Sequence, residues 1–297
     1  MKFFLYTDKE IPNLFRYYTY FSKELHNILY EHRNRTLDPY EADIFMTCFS
    51  NECHYCSIPG ILRLLGKPER EITIHEIKKL CIYRNIAPHV VFYRSDFEDD
   101  IENIVNVPYS SYRDDSIIFC PPQLHDLNYL HENSERDILC SFKGTLNRVS
   151  ECDNIDHRFE IIKTIKNANK DIIIDSKNST ENEYKELLGR SVFGLVIEGD
   201  LPWSYRLTEV INSGAIPIII DPNITQNRMK YLPFEGMIDY SRFSIIIKRD
   251  ELNNFFSEKI YQISDNTIQS LRDNLRKINN RVFRDRNTQV NFFIDSL

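Results

Sequence analysis

Residues 184–221, YKELLGRSVFGLVIEGDLPWSYRLTEVINSGAIPIIID, decide the fold. Val192–Ile197 and Ala215–Ile220 are short, unbroken apolar runs, the pattern of strands buried on both faces of a parallel sheet. Between them Gly199, Asp200 and Pro202 open a loop, Ser204 starts a helix, and Gly214 stops it. Strand, loop, helix and strand make one βαβ crossover. Its loop lies at the carboxyl end of a strand and faces a helix N-terminus, where open α/β folds take phosphorylated ligands. Arg206 and Glu209 are three residues apart and share a helix face. Such a pair is also what a solvated surface ion pair looks like. At the mouth of a βαβ loop, however, an arginine can pair with a diphosphate and a carboxylate can accept both hydroxyls of a ribose.

Working outward, Lys2–Thr7, Ala42–Phe49, Pro88–Tyr93 and Ser116–Cys120 read as further buried strands. Leu14–His32 and Glu71–Ile82 have helical spacing. Gln123–Arg136 is polar and aperiodic and serves as a connection. A second β/α series follows: strand Ile138–Phe142, helix Arg158–Asn167, strand Asp171–Ile174, the crossover above, strand Phe243–Ile247 and an amphipathic helix Asp265–Val282. The reading is α/β, with an amino-terminal Rossmann-like domain over 1–133 and a second over 134–282. Residues 283–297 are expected to pack back on the first.

The 297 residues are 42% hydrophobic and 27% charged, as for a folded globular chain. A net charge of −7 argues against a nucleic-acid partner, which needs a basic face. No apolar run approaches the ~20 residues of a membrane span. Seven cysteines, most inside apolar runs, suit a reducing compartment, and a cytoplasmic location is expected.

Outside the crossover, Lys143-Gly144 ends a strand, with Arg148 and Arg158 downstream, giving either a second phosphate-facing edge or a turn with solvated cations. Cys48, Cys53, His54 and Cys56 resemble half of a zinc site. No second ligand pair accompanies them, so no metal is expected. Asp96 closes a strand ahead of Glu98, Asp99 and Asp100; it reads as a solvated loop acid or as a general base. P-loop, GxSxG and GxGxxG motifs are all missing.

These residues also carry a family likeness. SVFGLVIEGD, SYRLTEVINSGAIPIII and LPFEGMIDYSRFSIIIKRDEL resemble, in order, the motifs of the exostosin family of glycosyltransferases. FFLYTDKEIP, EADIFMTCF, SIIFCPPQL and CSFKGTLNR extend the resemblance over nearly the whole length. It implies a GT-B architecture, with two Rossmann-like domains facing a cleft, and inversion at the anomeric carbon without cofactor or obligatory metal. A UDP-sugar, with xylose the first-named sugar, would donate to a hydroxyl of a glycan or glycoprotein acceptor. By matching position, Glu209 would bind ribose; Arg206, Ser204, Gly199 and Arg158 would serve the diphosphate, and Lys143, Gly144 and Arg148 would line the facing loop. Asp96 is the first candidate base and His54 the second. The sequence departs from the family at Glu198, where an arginine is usual, and at Val210, where alanine is usual. The loss of that arginine keeps open a non-catalytic, sugar-binding or partner-stabilising member of the same fold. The Ile/Asn-rich, Gly-poor composition suggests a viral or microbial copy building glycans in the cytosol.

Overall fold

The computed structural model describes residues 1–7, 9–10, 20–51, 89–95, 112–114, 117–120, 135–144, 157–175, 180–197, 206–220, 232–234 and 237–296. The chain divides into two compact units. One holds residues 1–124, 229–237 and 293–297, and the other holds 125–228 and 238–292.

The first unit is built on strands β1 (Phe3–Leu5), β2 (Arg35–Thr36), β3 (Ile44–Asn51), β4 (His89–Ser95), β5 (Tyr112–Asp114) and β6 (Ile117–Cys120). They form one sheet in the order β2-β1-β3-β4-β6-β5. Every pairing is parallel except β5 with β6. All three residues of β1 are buried, as a strand covered on both faces requires. Phe45 of β3 meets Phe4 and Tyr6 at ring separations of 5.8 and 5.9 Å. Helix α1 (Tyr20–Glu31) buries His26 and Leu29. The His26 ring donates from Nε2 to the Tyr6 carbonyl, 3.3 Å away, which satisfies a polar group inside the core.

In the second unit, strands β7 (Ile138–Lys143), β8 (Ile173–Asp175), β9 (Ser191–Val196), β10 (Ile216–Ile220) and β11 (Ile245–Ile247) form a wholly parallel sheet. The order is β11-β10-β9-β7-β8. Helix α2 (His157–Ala168) links β7 to β8, α3 (Glu181–Arg190) links β8 to β9, and α4 (Arg206–Asn212) links β9 to β10. The chain thus winds one way from β7 to β8 and the other way from β9 onward. That reversal puts a topological switch point between β7 and β9, and ligands of open α/β sheets bind at the carboxyl ends of such strands.

At the opposite edge one cation locks the strand starts together. Arg136 donates to the carbonyls of Leu188 and Ser213 at 3.2 and 2.7 Å and to that of Ser191. Burial lowers its pKa to about 10, with neighbouring Arg272 and Arg276 contributing. It stays charged at neutral pH, and its three carbonyl partners offset the desolvation. Gly214, with φ 73°, ends the α4 segment in the left-handed region. A Cβ there would lie 2.8 Å from Arg136 Nη2, so the turn needs glycine on both counts.

The structure departs from the sequence reading in several elements. β2, β5 and helix α5 (Leu252–Ser257) have no counterpart in it. β3 runs to Asn51, two residues past the end expected for it. The strand expected at Asp171–Ile174 is Ile173–Asp175. The long helix expected to reach Val282 is α6 (Asp265–Ile278) followed by a π-helical turn, Asn279–Phe283. Helix α7 (Arg286–Ser296) closes the chain. Among the described residues no helix is long and apolar enough to cross a membrane.

Candidate functional site

Four side chains from three elements converge at the carboxyl edge of the second sheet, at its switch point. Phe142 is the penultimate residue of β7 and is 2% exposed. Its ring stacks under the guanidinium of Arg206, with Cζ 4.7 Å from the ring centroid. The Tyr184 ring lies on the same cation at 5.4 Å. Both distances are in the cation–π range. Arg206 Nη1 donates to the Tyr184 hydroxyl at 3.0 Å. That hydroxyl donates in turn to Oε2 of Glu209 through a short hydrogen bond.

Local sequence explains each placement. Thr180 caps α3 in a capping box: its hydroxyl accepts from the Glu183 amide at 3.3 Å, and the Glu183 carboxylate accepts from the Thr180 amide at 2.8 Å. This start fixes the phase of α3, so that Tyr184 in the first turn lies one turn before buried Leu188. Helix α4 sits close on β9 because Gly194 has no side chain. A Cβ there would be 2.7 Å from both methyls of Val210, the residue after Glu209. Gly144 does the same at the end of β7, where a Cβ would lie 3.0 Å from Arg206 Nη2 and 3.3 Å from Phe142 Cζ. The strand end must be bare for the guanidinium to lie over it.

Of the residues singled out from sequence, Arg206, Glu209 and Gly144 are brought together. Lys143 is half-buried at the end of β7, beside Gly144. Arg158 is half-buried in the first turn of α2. Ser204, Gly199, Arg148 and both base candidates, Asp96 and His54, lie outside the described residues, as does Glu198. Among the described residues α4 spans Arg206–Asn212, and the cluster is built from its side chains. Phe142 and Tyr184 were not anticipated. Tyr184 opens the very stretch that decides the fold, and its capping box is visible as Thr180-Glu-Asn-Glu. That motif locates the helix; only the packed sheet brings its tyrosine to a glutamate 25 residues downstream.

Chemically the arrangement joins a cation, a neutral hydroxyl and a carboxylate in a row at a strand edge. A cation there suits a phosphate and a carboxylate suits a diol. Residues 78–262 match the family described as the Exostosin GT47 domain, more than half of the chain and all of this cluster. The chain belongs to the exostosin GT47 family. Its curated relatives include the exostosin-1 homolog of Caenorhabditis elegans, 28% identical over 162 residues, covering 49% of this chain and 40% of the relative. The probable glucuronoxylan glucuronosyltransferase IRX7 of Arabidopsis thaliana is 25% identical over 259 residues, covering 72% and 54%. This exostosin-family chain thus spans about half the length, or less, of these relatives. Among solved structures, that of TarM of S. aureus covers 91% of this chain and 52% of its own at 11% identity and a TM-score of 0.41. That likeness is distant, and the α/β class stands on the two sheets themselves.

Proposed function

We propose that the chain is an inverting, metal-independent glycosyltransferase that moves a sugar from a UDP-sugar to a hydroxyl of a glycan or glycoprotein acceptor. The observation that supports this best is the row Arg206–Tyr184–Glu209 at the switch point, inside the exostosin GT47 match. On this reading Glu209 accepts hydrogen bonds from the ribose hydroxyls of the donor. Arg206 pairs with the diphosphate, joined by Lys143, Arg148 and Arg158, with Ser204 and the Gly199 and Gly144 backbones beside them. The acceptor oxygen attacks the anomeric carbon from the face opposite UDP. The bond to the β-phosphate oxygen breaks with its electron pair, and the acceptor proton passes to a base, Asp96 before His54. The charge that grows on the departing UDP is met by fixed cations, the role a metal ion would otherwise fill. Xylose remains the first sugar to test, with glucuronate, the sugar in the plant relative's name, as its competitor. A cytoplasmic setting suits the buried free thiol of Cys140.

The test is UDP release over a panel of UDP-sugars with glycan acceptors, alongside calorimetric UDP binding. Turnover that survives EDTA is expected. Glu209→Gln keeps the shape and the acceptor oxygen for Tyr184 but removes the charge, and should weaken UDP binding ~10- to 100-fold, the scale of a charge-assisted hydrogen bond. No turnover with any sugar together with no UDP binding would defeat the proposal. UDP binding that depends on Glu209, without turnover on any sugar, would favour the non-catalytic member that the Glu198 exchange suggests.

A further inference from the structure

We propose that Tyr184 is the positioning residue of the donor site, aiming the Glu209 carboxylate so that the site distinguishes a ribonucleotide from its 2′-deoxy analogue. The inference rests on the donor-site reading above and adds to it the group that sets sugar selectivity on the nucleotide side.

The argument is one of proton count. A tyrosine hydroxyl has one proton to give. Arg206 Nη1 has only protons to offer, so the 3.0 Å contact makes the tyrosine oxygen the acceptor on that side. The hydroxyl proton is thereby committed to Glu209 Oε2. The row is directional: cation to hydroxyl, hydroxyl to carboxylate. Donation from the guanidinium polarises the hydroxyl and strengthens what it gives to Glu209.

A glutamate needs such a tether. Its terminal torsion is broad, so a half-buried carboxylate without a partner samples many orientations. Among the described residues Glu209 makes its one side-chain hydrogen bond to Tyr184, through Oε2. Oε1 keeps its lone pairs, and with Oε2 pinned its direction is fixed as well. A ribose diol that donates to a fixed carboxylate gains most of the hydrogen-bond energy, because little orientational entropy is lost on binding. The 2′-deoxy analogue forfeits one of those bonds, and a pre-aimed carboxylate turns that loss into selectivity. Tyr184 is held in turn, since its ring and the Phe142 ring both lie against the Arg206 guanidinium.

Tyr184→Phe keeps the ring and removes the hydroxyl. Isothermal titration would compare UDP with 2′-deoxy-UDP on the full chain, for wild type, Tyr184→Phe, Glu209→Gln and the double variant. Wild type is expected to prefer UDP by ~10-fold or more, the scale of one charge-assisted hydrogen bond. Tyr184→Phe should cut that ratio at least ~3-fold, and in the Glu209→Gln background it should change the ratio no further, because the two act as one unit. A ratio unchanged in Tyr184→Phe, or a second independent drop in the double variant, overturns the inference while leaving the donor site in place. A ratio that rises also overturns it, since Tyr184 would then compete with the ribose. A wild type that binds neither nucleotide removes the donor-site reading itself. If phenylalanine impairs folding, 3-fluorotyrosine at 184 keeps the ring and hydroxyl but makes a stronger donor. The ratio must then move, and a fixed ratio is the overturning result.

Discussion

Gly194→Ala tests how tightly α4 is seated on the second sheet. Gly194 lies within β9, paired with Ser141 of β7 on one side and Pro217 of β10 on the other. A Cβ on it would stand 2.7 Å from Cγ1 and Cγ2 of Val210, where carbon pairs prefer ~3.5–4.0 Å, so Val210 must recede by roughly 1 Å. Rotation about χ1 cannot clear the overlap, because both methyls face the glycine and any turn leaves one of them there. Valine in a helix also has one strongly preferred rotamer. The strand and helix must part instead. Overpacking of this kind costs about 1–3 kcal/mol. Against it stands about 0.5–1 kcal/mol gained by replacing a strand glycine with alanine.

The net loss is ~0–2.5 kcal/mol, or a fall of up to ~10 °C in melting temperature at ~2–4 °C per kcal/mol for a unit of this size. Thermal and urea denaturation would measure it. UDP titration would report whether the shift that relieves Val210 also moves its neighbour Glu209. Val210→Ala alone should also destabilise, by ~1–3 kcal/mol from two lost buried methyls and the space they leave. The double variant exchanges volume across the contact and should melt well above the value expected from adding the two losses. A Gly194→Ala chain that melts above wild type, or strict additivity in the double variant, would refute the close seating.

Two further outcomes test the opposite edge of the sheet. Arg136→Met strips the donors from the carbonyls of Leu188, Ser191 and Ser213 and should cost ~3 kcal/mol or more in urea denaturation; a loss below ~1 kcal/mol would mean that water takes over the guanidinium's role. The Asp137 carboxyl is held below the ordinary carboxylate range, first by the hydrogen bond it accepts from Arg190 at 2.9 Å. A depressed folded pKa gives stability that is present above the unfolded value and lost as pH falls through the folded one, so Asp137→Asn should melt below wild type at about pH 7 and converge with it by about pH 2. A gap that stays constant over that range would show that the pair does not contribute.

The second sheet was legible because parallel strands covered on both faces are written as unbroken apolar runs, and β10 is four isoleucines around one proline. That proline is tolerated because it stands one residue before the ladder to β11 begins at Ile218. The short edge strands were not legible. Arg35–Thr36 and Tyr112–Asp114 have no apolar run of their own and take strand form by pairing with β1 and β6. Helix α5, LNNFFS, is too short for a helical period to declare itself, though Phe256 is wholly buried. In the site, the Arg206/Glu209 spacing could be read because it is local to one helix turn. Phe142 and Tyr184 belong to it through contacts across β7, α3 and α4, which no spacing rule reports.

The electrostatics of that cluster bear on why the proposed donor site needs several cations. Arg206 and Glu209 together carry no net charge, and the hydroxyl between them is neutral. A diphosphate brought to Arg206 adds negative charge beside a carboxylate that must stay ionised to accept from ribose, so one guanidinium cannot neutralise both. On the proposed reading the balance falls to side chains on other elements, of which half-buried Lys143 at the end of β7 and Arg158 at the start of α2 are described.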